Sequence, residues 1–345
     1  MNTGAAFEPW QVSATRFPGQ DAADEEQLRF MLGYAILAPS SHNTQPWIFR
    51  FHGSRVGLYA DRTRGLPLAD HQDRELTISC GAALFNLCLA IRHFGRTMVG
   101  QLLPDEANPD LLALIGLGER KQADHECNSL FGAICRRRTN RGPFEKRAPD
   151  PGFLEKMERV AVQDGAWLHV VHGRSMRHAV AELVAEGDRF QWHDARFRRE
   201  LASWIHSNRS ESHDGMPGYS FGHGDLQSIL DPFLIRTFDV AERVAARDLD
   251  TAEKSPALLV LGTPGDTARD WLHAGRALQH ILLHSTAGGL SCSFFNQPVQ
   301  VDTLRPRLLA AIGRQGHPQV VMRMGFGGDV RPTPRRSVRE VLRGG

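Results

Sequence analysis

The sequence lacks the features that mark disulfide-stabilised, membrane-spanning and secreted proteins. Its 345 residues include only five cysteines, an odd number, and no two of them have C-x-x-C spacing. A disulfide framework or a cysteine-based zinc site is therefore not expected, and this cysteine usage fits a reducing cytoplasm. Because no run of 18 apolar residues occurs, we expect no membrane span. The first ten residues lack the basic start and apolar run of a signal peptide, so we expect none.

The chain also has little net charge. It carries 41 Lys and Arg against 39 Asp and Glu, a formal net charge of +2. A nucleic-acid-binding surface usually shows as a basic face or stripe, so a nucleic-acid partner is not expected. The basic residues form short local clusters instead, a pattern that favours a small anionic ligand. Since 41% of the residues are hydrophobic, the chain can bury a large core.

Periodic apolar residues predict an ordered series of elements in the first part of the chain. Residues 24–37 predict a helix, with acidic residues in its first turn and Pro39 just beyond its end. Residues 47–51 and 56–59 predict the two strands of a hairpin. Residues 81–94 form a second, very apolar helix, which we expect to lie in the core.

The same series returns later in the chain, which predicts an internal duplication. Residues 153–160 predict a helix, 167–171 and 258–261 predict strands, and 275–283 predict another apolar helix. Gly81 aligns with Gly275 at an offset of 194 residues, and Gly95 aligns with Gly289 at the same offset. The two strands that open with tryptophan, at Trp47 and Trp167, align at another offset because the second half carries an insertion. We place this insertion at about residues 174–255 and expect it to be mainly helical, with a mobile loop.

Two arginine clusters are candidate anion sites. In an extended segment, alternate side chains share a face, so Arg137, Thr139 and Arg141 point one way. Two guanidinium groups with a hydroxyl between them suit a phosphate, although a solvated basic face would show the same pattern. In the second cluster, Pro332 and Pro334 stiffen the backbone before Arg335 and Arg336. A surface tail in front of a helix at residues 338–342 is the alternative interpretation.

Two further segments offer groups for a flat polar ligand. The loop APSSHNTQPW, residues 38–47, is rich in short hydrogen-bonding side chains between a helix and a strand. An ordinary capped turn would be equally rich in them. The segment SFFNQP, residues 293–298, follows a glycine turn whose backbone could approach a heterocycle closely.

Other signals carry less weight. His280 and His284 have the i, i+4 spacing of a metal clamp, but no glutamate stands between them as in H-E-x-x-H. The glycines at 325–328 lack the trailing helix of a dinucleotide-binding fingerprint. A charged and aromatic stretch at residues 188–196 could form part of a lid, and it could equally be an exposed helix face.

At this point the residues show a resemblance to a known family. The string PSSHNTQPW is similar to the Pro-Ser-Ser-x-Asn-x-Gln-Pro-Trp signature of the FMN-dependent nitroreductase superfamily. Arg137–Arg141 resembles the phosphate motif of that family, and residues 324–327 with 334–336 resemble its C-terminal segment. The pattern is most similar to the Acg-like branch, in which one chain carries two nitroreductase-like halves. The resemblance extends from about Asp24 to Leu342.

The resemblance implies an α+β, nitroreductase-like fold with two pseudo-symmetric halves and mixed sheets flanked by helices. The first half would span residues 1–125 and the second residues 126–345. Ordinary nitroreductases are dimers whose two FMN sites each use both chains. Here only the first half has the Pro-Ser-Ser loop and only the second has the arginines. The sequence therefore predicts one complete site between the halves, in a monomer that mimics a dimer, or in a homodimer of such chains.

The resemblance also implies roles for individual residues. The phosphate and ribityl end of FMN would be held by Arg137, Thr139, Arg141, Arg335 and Arg336. Loop residues of the first half would contact the edge of the flavin ring; they are Pro39, Ser40, Ser41, Asn43 and Gln45. The backbone near Phe295 and Asn296 would face flavin N5. No protein nucleophile is needed, because the flavin carries the hydride chemistry.

The function that follows is an FMN-dependent NAD(P)H oxidoreductase that reduces small nitroaromatic or quinone-like substrates in the cytoplasm. A second possibility is a flavin-binding or flavin-sequestering stress protein with a closed site and little turnover. A third is a structural relic that binds no flavin, which would give a colourless protein.

Overall fold

The computed structural model describes residues 4–344, which contain two four-stranded sheets, one two-stranded sheet, twelve α-helices and five 3-10 helices. The part before the insertion has α1 (Asp24–Ala35), β1 (Trp47–His52), β2 (Arg55–Ala60), α2 (Arg74–His93), β3 (Arg96–Leu102), β4 (Leu111–Arg120), α3 (His125–Ile134), α4 (Pro151–Gln163) and β5 (Trp167–Val170). The insertion has α5 (Arg174–His193), α6 (Ala195–Ser203), β6 (Ile205–His206), β7 (Met216–Pro217), α7 (Asp225–Thr237) and α8 (Ala241–Lys254). The chain ends with β8 (Ala257–Thr263), α9 (Ala268–Ala287), β9 (Ser291–Phe294), α10 (Gln297–Gln300), α11 (Arg305–Ile312), β10 (His317–Gly325) and α12 (Val338–Val341).

The two sheets have the same topology. The first has the order β1-β2-β4-β3 and the second the order β5-β8-β10-β9. When β1 is matched with β5 and β2 with β8, every later strand matches in turn, and the apolar helices α2 and α9 occupy equivalent places. All neighbouring strands within each sheet are antiparallel. Within residues 4–344, parallel pairing occurs between the short strands β6 and β7 of the insertion and in two isolated bridges at the sheet edges, Phe49 with Leu342 and Thr139 with Cys292. The two pseudo-symmetric halves are thus confirmed.

The helices α2 and α9 cross where Gly81 faces Gly275. A Cβ atom on Gly81 would lie 2.5 Å from the carbonyl oxygen of Leu272, and one on Gly275 would overlap the carbonyl oxygen of Ile78. Ile78 and Leu272 are themselves related by the offset of 194 residues, so each contact has a symmetric counterpart. Such reciprocal contacts are the signature of a two-fold axis. Glycine is required at both positions because the backbones touch there.

Further along the crossing of α2 and α9, symmetry-related positions carry side chains of different chemistry. The Phe85 ring lies 4.6 Å from the ring of His280. At the equivalent pair, Gln279 donates a hydrogen bond to Asn86 at 2.7 Å. An apolar contact on one side of the axis thus corresponds to a buried polar contact on the other.

Helix α2 is by length and composition apolar enough to cross a membrane, with a mean hydropathy of 1.4. However, 83% of that apolar window is buried inside the fold. Its residues contribute to both hydrophobic cores, since Ile78 packs in the core of the second half and the rest of the helix packs in the first. This burial is what the central helix of a folded domain requires.

The sequence predicted most of these elements and missed several. The predicted helices at 24–37 and 153–160 are α1 and α4, and the predicted hairpin is β1 and β2. Helix α2 begins at Arg74 rather than at Gly81, because its first two turns bury charged and polar side chains that break the apolar pattern. The strands β3, β4, β9 and β10 were not predicted. Between β5 and β8 stand mainly helices, as expected for the insertion.

Candidate functional site

The Pro-Ser-Ser loop between α1 and β1 has a strained backbone. His42, Asn43 and Gln45 have positive φ angles of 49°, 58° and 52°. They are three of only five non-glycine residues with positive φ in the described chain. Such conformations cost of order 1–3 kcal/mol each and persist only where the surrounding structure holds them, typically at ligand sites. The loop is therefore held in an unusual shape by its contacts.

The contacts that hold the loop come from the C-terminal segment of the chain. Arg335 donates to the amide oxygen of Asn43 at 2.6 Å and to the carbonyl of Ala38 at 3.2 Å. The amide oxygen of Gln45 accepts from the backbone N–H of Arg336 at 2.8 Å, and the Arg336 guanidinium donates to the Gln45 carbonyl at 3.0 Å. Two elements almost 300 residues apart in the chain thus form one surface.

The segment after α3 is an extra edge of the second sheet. Thr139 forms a parallel bridge with Cys292 in β9, and the N–H of Asn140 donates to the Cys292 carbonyl at 3.0 Å. This pairing fixes the extended backbone that the alternation of Arg137, Thr139 and Arg141 requires. It also places the arginine segment beside the residues that follow β9.

Four arginines near the loop have no carboxylate partner. They are Arg137, Arg138, Arg141 and Arg335, and within residues 4–344 none of them forms a salt bridge. Arg137 is 3% exposed, and its Nε and Nη1 have no hydrogen-bond partner; its single bond, to the Leu37 carbonyl, is long at 3.5 Å. The Nε of Arg335 is likewise buried without a partner.

Desolvation is the main cause of the pKa shifts in this cluster. It lowers the pKa of Arg137 to about 9, with the neighbouring Arg138 adding to the effect. The pKa of Arg335 is also lowered, first by burial and then by Arg137 and Arg138. Trp10 offsets part of this cost, because its ring lies 3.9 Å from the Arg138 guanidinium and 4.8 Å from that of Arg335. The remaining positive charge is what an anion would neutralise.

Arg141 lies beside the Pro-Ser-Ser loop, close to His42. Its side chain has an exposed surface, yet burial by the surrounding protein lowers its pKa to about 10. The same desolvation, with the charge of Arg141, lowers the pKa of the half-buried His42 to about 4. His42 is therefore neutral at pH 7, and Arg141 is the charged group there.

Glu75, in the first turn of α2, connects the loop to the segment after β9. Its buried carboxylate accepts from the Ser41 hydroxyl at 2.6 Å, from the Asn296 amide at 3.2 Å and from Gln300 at 3.0 Å. Desolvation raises its pKa, while Arg74 at 3.3 Å opposes that shift. The Asn296 oxygen in turn accepts from the N–H of Val321 at 3.1 Å. Side chains of both halves are thereby tied to one carboxylate.

The insertion covers the loop from outside. The Asn43 amide donates to the Gly215 carbonyl at 2.9 Å, and the Gln45 amide donates to the His213 carbonyl at 2.8 Å. The Arg141 guanidinium lies 3.4 Å from the sulfur of Met216 and 5.0 Å from the centre of the Phe221 ring. The insertion therefore contacts both the loop and one of the arginines.

All twelve site residues predicted from the sequence lie in segments that contact one another here. Several of them, however, have bonds within the protein: Ser40 accepts from the N–H of Gln45, and Asn43 and Gln45 tie the loop to other segments. Arg336 also donates to the Glu340 carbonyl and lies 3.8 Å from Asp61. The sequence did not point to Trp10, Glu75 or the side chain of Arg138. Only Arg138 had a sequence signal, as part of the basic run.

His280, His284 and the charged residues of the 188–196 stretch have partners away from the loop. His280 bonds Asp164 at 2.8 Å and stacks beside His284, whose Nε2 lies 3.6 Å from Glu126. In the 188–196 stretch, His193 pairs with Asp239 at 2.6 Å. Arg189 pairs with Glu242 of α8 at 3.1 Å. These contacts brace helices against each other.

Comparison with known proteins gives relatives over nearly the full chain. A protein of Mycobacterium tuberculosis strain H37Rv, provisionally named an NAD(P)H nitroreductase, is 31% identical over 334 residues, which cover 95% of this chain and 93% of the relative. The protein of the same strain that bears the name Acg, with the same provisional activity, is 29% identical over 315 residues, covering 89% of this chain and 92% of the relative. No protein-family model matches the chain.

A solved structure with some likeness is the FMN-dependent nitroreductase NfnB from Mycobacterium smegmatis in complex with NADPH. It is 17% identical, with a TM-score of 0.41, and the match covers 63% of this chain and 97% of that one. The sequence relatives are closer and are matched along almost their whole length. On their similarity, the chain belongs to the Acg-like family of NAD(P)H nitroreductases.

Proposed function

We propose that the protein is an FMN-binding oxidoreductase that uses NAD(P)H to reduce small nitroaromatic or quinone-like compounds. The observation that carries this proposal is the cluster of Arg137, Arg138 and Arg335, which has no carboxylate partner within residues 4–344 and in which Arg137 and Arg335 are buried. Burying charge without compensation costs several kcal/mol, so an anion that binds to the cluster would stabilise the folded protein. A phosphate monoester has the charge and the acceptor oxygens to satisfy the free guanidinium N–H groups.

The groups next to the cluster fit the rest of FMN. The strained loop and the segment after β9 meet at Glu75, so polar groups of both halves converge within reach of the arginines. Arg137, Arg141 and Arg335 would hold the phosphate, with Thr139 beside them. The loop and the backbone near Phe295 and Asn296 would contact the edge of the flavin ring. FMN would supply the two-electron chemistry, and the chain would supply position and a positive field.

Arg336 has a different part in this arrangement. Its guanidinium already donates to the Gln45 and Glu340 carbonyls and lies near the carboxylate of Asp61. We infer that it positions the loop and the C-terminal segment, and that Arg335 is the stronger phosphate ligand of the two.

We further infer that the chain arose by duplication and that, in the cytoplasm, each single chain by itself mimics a nitroreductase dimer. The halves would divide near residue 125, as the sequence predicts, with the insertion in the second half. Support comes from the reciprocal contacts of Gly81 and Gly275 and from the identical strand orders. Under this proposal one FMN binds per chain.

The absorbance spectrum of the purified protein tests the cofactor assignment. We expect flavin bands at one FMN per chain in the wild type and their loss in the double variant Arg137→Ala, Arg335→Ala. The matched control replaces Arg120 and Arg136, two exposed arginines outside the cluster, with alanine and should retain FMN. A colourless wild type that takes up no added FMN, or a double variant that stays fully yellow, would refute the assignment.

A second candidate function, holding or sequestering flavin with little turnover, rests on the insertion. The insertion bonds Asn43 and Gln45 and contacts Arg141, so Gly215, Met216 and Phe221 would cover the proposed site. Steady-state NAD(P)H oxidation with a nitroaromatic or a quinone separates the two functions. Turnover supports the oxidoreductase, whereas retained FMN without turnover supports sequestration.

A further inference from the structure

Helix α7 of the insertion is amphipathic, but its apolar face is exposed and its polar face is buried. Six of the eleven large apolar residues that are exposed in residues 4–344 lie on it or directly after it. These are Leu226, Ile229, Leu230, Phe233, Leu234 and Phe238. Their spacing of three and four residues puts the first five on one helix face. Contiguous exposed apolar surface of this kind marks an interaction site.

The opposite face of α7 is polar and buried. Ser228 is fully buried and accepts from the N–H of Asn208 at 3.0 Å, and Asp231, 4% exposed, accepts from His223 at 2.7 Å. The helix also packs closely on Gly218, where a Cβ atom would collide with Ser228. Turning the apolar face inward would break both hydrogen bonds and this close packing. The fold therefore fixes the apolar face outward.

We propose that this face binds the same face of a second copy of the chain, with the two α7 helices antiparallel. The six residues are 41–77% exposed, which together amounts to roughly 600 Å² per copy at about 200 Å² for a large side chain. Two copies would bury about 1,200 Å², the lower limit for a specific interface. The stripe alone is thus large enough for a weak dimer, with a dissociation constant on the order of micromolar.

The charges on α7 favour a second copy over a membrane. Its N-terminal residue is Asp225 and its last turn carries Arg236. In an antiparallel pair, Asp225 of one copy lies at the same end as Arg236 of the other, and the helix dipoles are opposed. A helix that lies on a membrane usually carries several Lys or Arg along its polar face. Here α7 contains a single basic residue, Arg236.

Sedimentation analysis of the full chain, at concentrations from about 1 to 100 µM, tests the proposal. We expect the wild type to reach twice the monomer mass, and Leu230→Glu to remain a monomer with an unchanged circular dichroism spectrum. The matched control is Val162→Glu in α4, where valine is 68% exposed outside the stripe; it should still dimerise. A monomeric wild type at the highest concentration would overturn the proposal, and so would a dimer that Leu230→Glu leaves intact.

Cysteine cross-linking tests the antiparallel geometry. Leu230 lies near the middle of the stripe and therefore near the two-fold axis, whereas Leu226 lies toward one end. With a mild oxidant, Leu230→Cys should form an intermolecular disulfide, and Leu226→Cys, although more exposed, should form little. The wild type is the control for the five native cysteines. Equal cross-linking at both positions would refute the pairing, and binding of the monomer to anionic lipid vesicles through α7 would assign the face to a membrane instead.

Discussion

Replacing Arg137 by methionine should stabilise the flavin-free protein. Most buried arginines stabilise a fold through their partners, but Arg137 has one long hydrogen bond and two N–H groups without any. Its pKa falls from 12.5 to about 9 on burial. At about 1.4 kcal/mol per pKa unit, the charged side chain costs the folded state up to roughly 4–5 kcal/mol at neutral pH. Even the replacement of a buried ion pair by well-packed apolar side chains is often neutral or gains about 1–4 kcal/mol, so the loss of an unpaired charge should stabilise as well.

The matched control is Arg74, which is equally buried and fully partnered. It donates to the Gln319 carbonyl at 2.6 Å and to the Val299 carbonyl at 3.1 Å, and it pairs with Glu75 at 3.3 Å. Arg74→Met leaves these acceptors without a donor, so we expect a loss of about 3–5 kcal/mol. Two substitutions of the same chemical kind should therefore change stability in opposite directions.

Urea denaturation of the flavin-free proteins at pH 7 measures both effects, and pH provides a further check. Because the pKa of Arg137 is lower in the folded state, the folded protein binds fewer protons than the unfolded one above about pH 9. The free energy of unfolding of the wild type should then rise relative to that of Arg137→Met, so the difference in stability between the two proteins should become smaller between pH 9 and pH 10. If Arg137→Met destabilises the flavin-free protein as Arg74→Met does, Arg137 is a structural residue and the reasoning for an anion site fails.

Three further changes probe the site and the contact between the halves. Gly275→Ala should destabilise the protein by about 2–3 kcal/mol in urea denaturation, because the added Cβ would overlap the Ile78 carbonyl. The control Gly132→Ala, whose Cβ would have nothing within 4 Å, should stabilise the protein by up to about 1 kcal/mol. Equal effects of the two substitutions would contradict the close contact of the helices. Ser41→Ala removes the 2.6 Å bond to Glu75, so FMN affinity in a fluorescence titration should fall about tenfold, and an unchanged affinity would exclude a role for this bond. Phosphate at millimolar concentration should raise the melting temperature of the flavin-free wild type but not of the Arg137→Ala, Arg335→Ala variant, and equal shifts would place the anion elsewhere.

The sequence predicted the parts of the fold whose residues follow a simple apolar period. Helix α1 and the β1–β2 hairpin were found because their buried residues recur at helical or alternating spacing. Helix α2 was found from Gly81 onward but not from Arg74, since its first turns bury Arg74 and Glu75. Strand β3 was missed because it is an exposed edge strand with no apolar alternation. A pattern of apolar residues does not reveal buried charged side chains or exposed edge strands.

The candidate site was predictable for a different reason. The short polar side chains at residues 40–45 and the arginines at 137–141 stand in unusual local strings, and a string is a property of the sequence. Glu75 and Trp10 have no such string, because their position at the site depends on the folded chain alone. For the same reason the sequence could not distinguish Arg335, whose buried Nε has no partner, from Arg336, whose guanidinium lies near the carboxylate of Asp61. Adjacent arginines look alike until their partners are known.

The two halves share a core but differ where a second site would lie. Between α1 and β1 the first half has 11 residues, which form the Pro-Ser-Ser loop. At the equivalent place, between α4 and β5, the second half has only Asp164, Gly165 and Ala166. Asp164 is buried and pairs with Arg276 at 3.2 Å and with His280 at 2.8 Å, so this turn is closed by charges that satisfy each other. The unpaired arginines behind the loop have no counterpart in that turn. This contrast supports one anion site per chain, since only one of the two equivalent places has positive charge left for a ligand.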